Sequence, residues 1–156
     1  MKSKFDIDWL RRAQKEQDPF DRFVCAYIVF NYHYSEARHN YGGGDRKAAI
    51  FYGVNVCRSC GFDPFGVPVG EYLAKPIERM DPQYPGRPVE VVKGDVRSLF
   101  DAIYQVRCNF FHGNKSFHDA RDTALVEQGA NVLIALMEKV IGARYNIEPA
   151  SIYGET

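Results

Sequence analysis

The chain lacks any apolar run long enough to cross a bilayer: its longest, residues 23–30, falls far short of the ~20 residues a spanning helix needs. It also lacks an excess of charge of either sign, since 20 Lys and Arg offset 20 Asp and Glu. A global basic field that would draw in nucleic acid is therefore excluded, and any RNA-binding surface has to be local. Between 93 and 121 the local excess is slight: Lys93, Arg97, Arg107, Lys115 and Arg121 against Asp95, Asp101 and Asp119. The opening Met1-Lys2-Ser3-Lys4-Phe5-Asp6 leads into charged sequence rather than an apolar signal core, so a cytoplasmic protein with no membrane partner is expected. Cysteine is sparse, at four in 156 residues, and reduced thiols suit that compartment. Cys57-Arg58-Ser59-Cys60 has neither a second pair nor a histidine at zinc spacing, and reads as structural thiols. Tyr41-Gly42-Gly43-Gly44-Asp45 lacks the Gly-Lys-Ser/Thr of a phosphate loop and reads as a linker. No metal or cofactor is expected, and no internal repeat is present.

What remains is helical pattern. Apolar content of 46% with 26% charge supports a folded core, and the length predicts a single domain, 1–156. A short helix is expected over 8–17, with Arg11 and Arg12 on a solvated face. Asp18-Pro19 makes a good helix start, cap followed by proline. The helix after it, to about 39, is apolar nearly all round through Phe20, Phe23, Val24, Tyr27, Ile28, Phe30 and Tyr34, and so belongs mid-bundle. Asp45 is expected to cap a third helix that stops at Gly61. Residues 61–94 hold six of the eight prolines, and read as an ordered wrap across the bundle, with only 71–80 able to form a short helix. Asp95 is expected to cap a fourth helix ending at Gly113, and Ser116-Phe117-His118-Asp119 to form a capping box for a fifth. The fold class is all-α, a bundle of about five helices with a long Pro/Gly-rich connection.

One charge sits against this pattern. On the fourth helix Val96, Leu99, Phe100, Ile103, Val106, Phe110 and Phe111 form an apolar arc, with Asp101, Gln105, Cys108 and His112 opposite. Arg107 falls within the arc, where an unpaired guanidinium is costly to bury and needs a partner or a water-filled cleft. By themselves, Arg107 and His112 read as a structural pair that caps a helix and satisfies a buried polar pocket.

The surrounding string Tyr104-Gln105-Val106-Arg107-Cys108-Asn109-Phe110-Phe111-His112-Gly113 resembles the R-x4-H signature of the HEPN superfamily, in its bacterial ribonuclease and toxin branch. Phe30-Asn31-Tyr32-His33-Tyr34 resembles the F-N-x-x-Y of the same group, and the likeness covers about 5–145. One position departs: the residue after the arginine is commonly polar and here is Cys108, with Asn109 placed to take its role. The resemblance implies a HEPN-like bundle acting as a homodimer. It also implies a metal-independent endoribonuclease that serves as a toxin or antiviral defence effector, with an antitoxin protein as a further partner. The alternative it carries is a catalytically inactive module that binds RNA, nucleotide or a protein.

The residues suit that chemistry. Attack of a ribose 2′-OH on its own phosphate, giving a 2′,3′-cyclic phosphate, needs a group titrating near neutral pH and a fixed cation. Histidine fits the first need and the planar guanidinium the second. Arg107 and His112 lie about 140° apart on an ideal helix and do not stack as an i, i+4 pair. A second motif across a dimer seam would complete the site and cover Arg107. Asn109, Asn31 and Tyr34 are the supporting candidates, and Lys115 and His118 the RNA-backbone contacts.

Overall fold

Asp18 accepts a hydrogen bond from the Asp21 N–H at 3.0 Å, and Pro19 occupies the first helical position. That local chemistry starts the central helix of a bundle whose computed structural model describes residues 4–38, 43–79, 86–111 and 119–154. The helices are α1 (Phe5–Lys15), α2 (Pro19–Glu36), α3 (Asp45–Cys60), α4 (Gly70–Ala74), α5 (Val96–Phe111), α6 (Ala120–Tyr145) and α7 (Pro149–Gly154). A 3-10 turn, Pro64–Gly66, precedes α4. Among the described residues the fold is all-α, with seven α-helices where about five were expected; α4 falls where the reading allowed a short helix within 71–80, and α7 was not expected.

α2 packs against α1, α3 and α6, and α5 lies chiefly on α3. The core runs along α2 through Phe23, Phe30 and Tyr34, meets Phe100 and Ile103 of α5, and continues into Leu133, Leu136 and Met137 of α6. Phe30 stacks on Phe100 with ring centres 5.7 Å apart. No helix among the described residues is long and apolar enough to cross a membrane.

Several boundaries differ from the sequence reading. α1 starts three residues earlier than expected, because Asp6 and Ile7 turn inward and are buried. Asp45 does not cap α3: Gly44 holds that position, and Asp45 is the first helical residue. Asp119 is the N-cap of α6, its Oδ1 accepting the N–H groups of Arg121 and Asp122 at 2.8 and 3.1 Å, and the rest of the expected capping box, 116–118, lies outside the described residues. Gly61 does end α3, in the left-handed region at φ 64°.

The Pro/Gly-rich connection wraps the bundle within its described parts. Tyr72 of α4 is buried and donates to the Leu125 carbonyl at 2.9 Å. Ile77 and Val89 pair as a single antiparallel bridge, exchanging hydrogen bonds of 2.9 and 2.8 Å. Both side chains are buried, so two short extended pieces seal the core without forming a sheet.

Candidate functional site

α5 is buried over a wider arc than its sequence pattern suggests. Gln105 and Asn109, read as polar-side or supporting positions, are each only 1% exposed, whereas Phe111 of the apolar arc is 54% exposed. The inversion follows from pairing. Gln105 Oε1 accepts from Arg46 of α3, Gln105 Nε2 donates to Asn109 Oδ1 at 2.9 Å, and Asn109 Nδ2 donates to the Glu78 carbonyl at 2.8 Å. A ladder satisfied at each step can be buried at little cost.

Among the described residues Arg107 has no such carboxylate or amide partner. Its guanidinium carbon lies 4.9 Å from the ring centre of Phe111, 5.4 Å from that of Tyr27 and 5.5 Å from that of Tyr104. Those are cation–π distances. Its Nε is buried without a hydrogen-bond partner, and its Nη1 approaches the Cys108 sulfur, a weak acceptor, at 4.0 Å. Among the described residues no carboxylate stands within ion-pair distance. Burial pulls the Arg107 pKa down, but Tyr27, Tyr104 and Cys108 outweigh it and hold it above its ordinary value. The result is a permanent cation gripped by aromatic faces, with its Nε unpartnered among the described residues.

The rings are themselves anchored. Tyr34 and Tyr104 both donate to Asp45 Oδ2, at 3.0 and 2.9 Å, and the Tyr27 and Tyr34 hydroxyls share a hydrogen bond of 3.1 Å. Burial raises the pKa of all three hydroxyls, with Asp45 adding to the rise, so each is a neutral donor at physiological pH. The predicted contact of Tyr34 with the motif is therefore indirect, through Tyr27 and Asp45. Asn31 is half-buried and makes no side-chain hydrogen bond to the motif among the described residues.

Sequence reasoning missed Asp45, Arg46 and the ring role of Tyr27 and Tyr104. Tyr27 and Tyr34 do lie two helical turns apart on one face of α2, which was the available signal. The other site candidates, His112, Lys115 and His118, lie outside the described residues. Elsewhere, Cys57 and Cys60 are free thiols, and burial pushes the Cys57 thiol up to about 12, as suits a structural role. Among the described residues no three His, Cys, Asp or Glu side chains converge as a metal site.

Beside the cage opens a cleft of about 420 Å³, lined by Asp45, Arg46, Arg79, Tyr104, Gln105 and Cys108. Arg46 pairs with Asp101 and places its guanidinium carbon 4.9 Å from the Tyr104 ring centre. The arrangement can receive an anion: a guanidinium without an ion-pair partner among the described residues, beside a hollow that Arg46 and Arg79 line together with Asp45.

No family model, no curated protein and no solved structure matches this chain.

Proposed function

We propose that the chain is a HEPN-type endoribonuclease that cleaves RNA by 2′-OH attack to give a 2′,3′-cyclic phosphate. It works without a metal, as a homodimer, in a toxin or antiviral defence role. The observation that carries this reading is Arg107: a guanidinium held by three aromatic rings, without a carboxylate partner among the described residues. A charge fixed in place and left unpaired is suited to a ligand's negative charge, and a phosphodiester matches a planar fork. Its place in the string from Tyr104 to Gly113, which resembles the family signature, supplies the identity of the reaction.

In this mechanism Arg107 stabilises the charge that develops on the phosphate oxygens. His112 transfers the proton, as base toward the 2′-OH or as acid toward the leaving 5′-oxygen. Tyr27 and Tyr104 hold the guanidinium at a fixed pitch, and Asp45 fixes the rings.

The test is cleavage of total cellular RNA in the presence of EDTA, with end-group analysis, by the wild type, Arg107→Ala and His112→Ala. Each protein is first shown to be folded and in one oligomeric state. The wild type is expected to leave 2′,3′-cyclic ends, with a loss of about 10²–10⁴-fold in each variant. A folded wild-type protein that binds RNA and leaves it intact would instead be the catalytically silent module.

A further inference from the structure

We propose that the cleft beside Tyr104 is a second phosphodiester subsite, which holds the RNA backbone next to the phosphate at Arg107. The inference rests on the ribonuclease reading for the identity of the strand, though the binding it describes is independent of cleavage.

Size comes first. A space of about 420 Å³ is many times the ~30 Å³ share of one water molecule, room for a phosphate with its sugar rather than a lone oxyanion. Charge comes second. The cleft's own carboxylate, Asp45, already accepts two tyrosine hydroxyls on one oxygen. Asp101 is spent on Arg46. Arg79 donates its Nε to the Arg87 carbonyl at 3.0 Å and has no ion pair among the described residues. Asp45 keeps its negative charge under those two neutral hydroxyls, but Arg79 in the cleft and Arg107 beside it have no ion-pair partner among the described residues.

Continuity is the third argument. The Tyr104 ring centre lies 4.9 Å from the guanidinium carbon of Arg46 and 5.5 Å from that of Arg107. Cys108 lines the cleft and also touches Arg107 Nη1 at 4.0 Å. Tyr104 and Cys108 thus adjoin both the cleft and Arg107, and the strand in this proposal runs past them from one to the other. Backbone contacts of this kind add affinity with little dependence on sequence, and they are salt-sensitive.

The test uses a fluorescent 2′-O-methyl oligonucleotide, which has no free 2′-OH to attack, titrated into the full chain at several salt concentrations. Wild type is compared with Arg79→Ala, Arg79→Lys and Lys139→Ala, the last an exposed lysine on α6. Circular dichroism establishes that each is folded. Arg79→Ala is expected to weaken binding about tenfold and to lower the salt slope by about 0.7, the contribution of one phosphate contact on a single strand. Arg79→Lys should keep most of that slope, and Lys139→Ala all of it. In the RNA assay Arg79→Ala should raise KM and leave kcat unchanged. Binding by Arg79→Ala equal to wild type overturns the subsite, and so does AMP displacing the oligonucleotide with equal affinity, which marks a free-nucleotide pocket. Cleavage with no dependence on Arg79 removes the subsite alone. Arg79-dependent binding by a folded wild type that cleaves no RNA removes the ribonuclease reading and leaves the subsite standing.

Discussion

Asp45 shows how one residue can satisfy a local rule and serve a distant need. The sequence reading made Asp45 the cap of its helix; in the fold it is the first helical residue, where an acidic side chain suits the helix dipole. In the fold its Oδ2 takes the hydroxyls of Tyr34, 11 positions back, and Tyr104, 59 positions on. Tyr34 is fully buried and Tyr104 is 9% exposed, so removing the shared acceptor takes the carboxylate from both hydroxyls and leaves Tyr34 only its bond with Tyr27. Asp45→Ala is expected to lower the unfolding free energy by about 2–4 kcal/mol in urea, from the cost of unsatisfied buried groups. Asp45→Asn, which retains an acceptor oxygen, should recover about half. A loss under 1 kcal/mol in Asp45→Ala would mean that the tyrosines find other partners. Arg107 was legible from sequence because a charge inside an apolar arc breaks a local period. Asp45 was not, because its two partners sit on other helices.

The contact between α3 and α5 depends on an absence. A Cβ added at Gly53 would stand 2.7 Å from atoms of the Phe100 ring, which is buried and already stacked on Phe30. Alanine normally gains about 0.5–1 kcal/mol over glycine inside a helix. Here the ring has nowhere to retreat, so Gly53→Ala is expected to cost about 1–3 kcal/mol by overpacking. Gly70→Ala, where the new methyl meets nothing within 4 Å, serves as the control and should be near neutral; equal midpoints for the two would remove the packing argument. At this scale the caps at Asp18 and Gly61 were readable from neighbouring residues. Those at Gly44 and Asp119 were not, since Asp45 and Ser116 fit the same preferences equally well.

Across the whole molecule a buried polar cluster ties α1, α2 and α6 together at a place the motif does not touch. His33 Nε2 and Asp6 Oδ2 are 2.9 Å apart with both side chains buried. Tyr145 donates to Asp6 Oδ1 at 2.9 Å, and Arg144 reaches Glu36 at 2.9 Å and Asp6 at 3.6 Å. Burial lowers the His33 pKa below its ordinary 6.5, with Asp6 opposing the shift. The unfolded chain therefore takes up this proton first as pH falls. The stability from a neutral His33 is complete above about pH 6.5 and is lost as pH drops through the folded pKa, at no more than about 1.4 kcal/mol per pH unit. Urea midpoints at pH 8, 7, 6 and 5 should fall for the wild type and stay flatter for His33→Gln over the same range. Parallel curves would show that His33 does not govern the acid limb.

The sequence by itself determined the helical class, the long helices and the misplaced charge at Arg107, because periodicity, proline and cap chemistry act over a few residues. Tertiary structure alone decided what surrounds that charge. Tyr27 comes from α2, Tyr104 and Phe111 from α5, and the carboxylate that fixes the tyrosines from α3. It also buried Gln105 and exposed Phe111. Each of those outcomes depends on which helix faces which, and a hydrogen bond spanning 59 positions leaves no trace in the local pattern at either end.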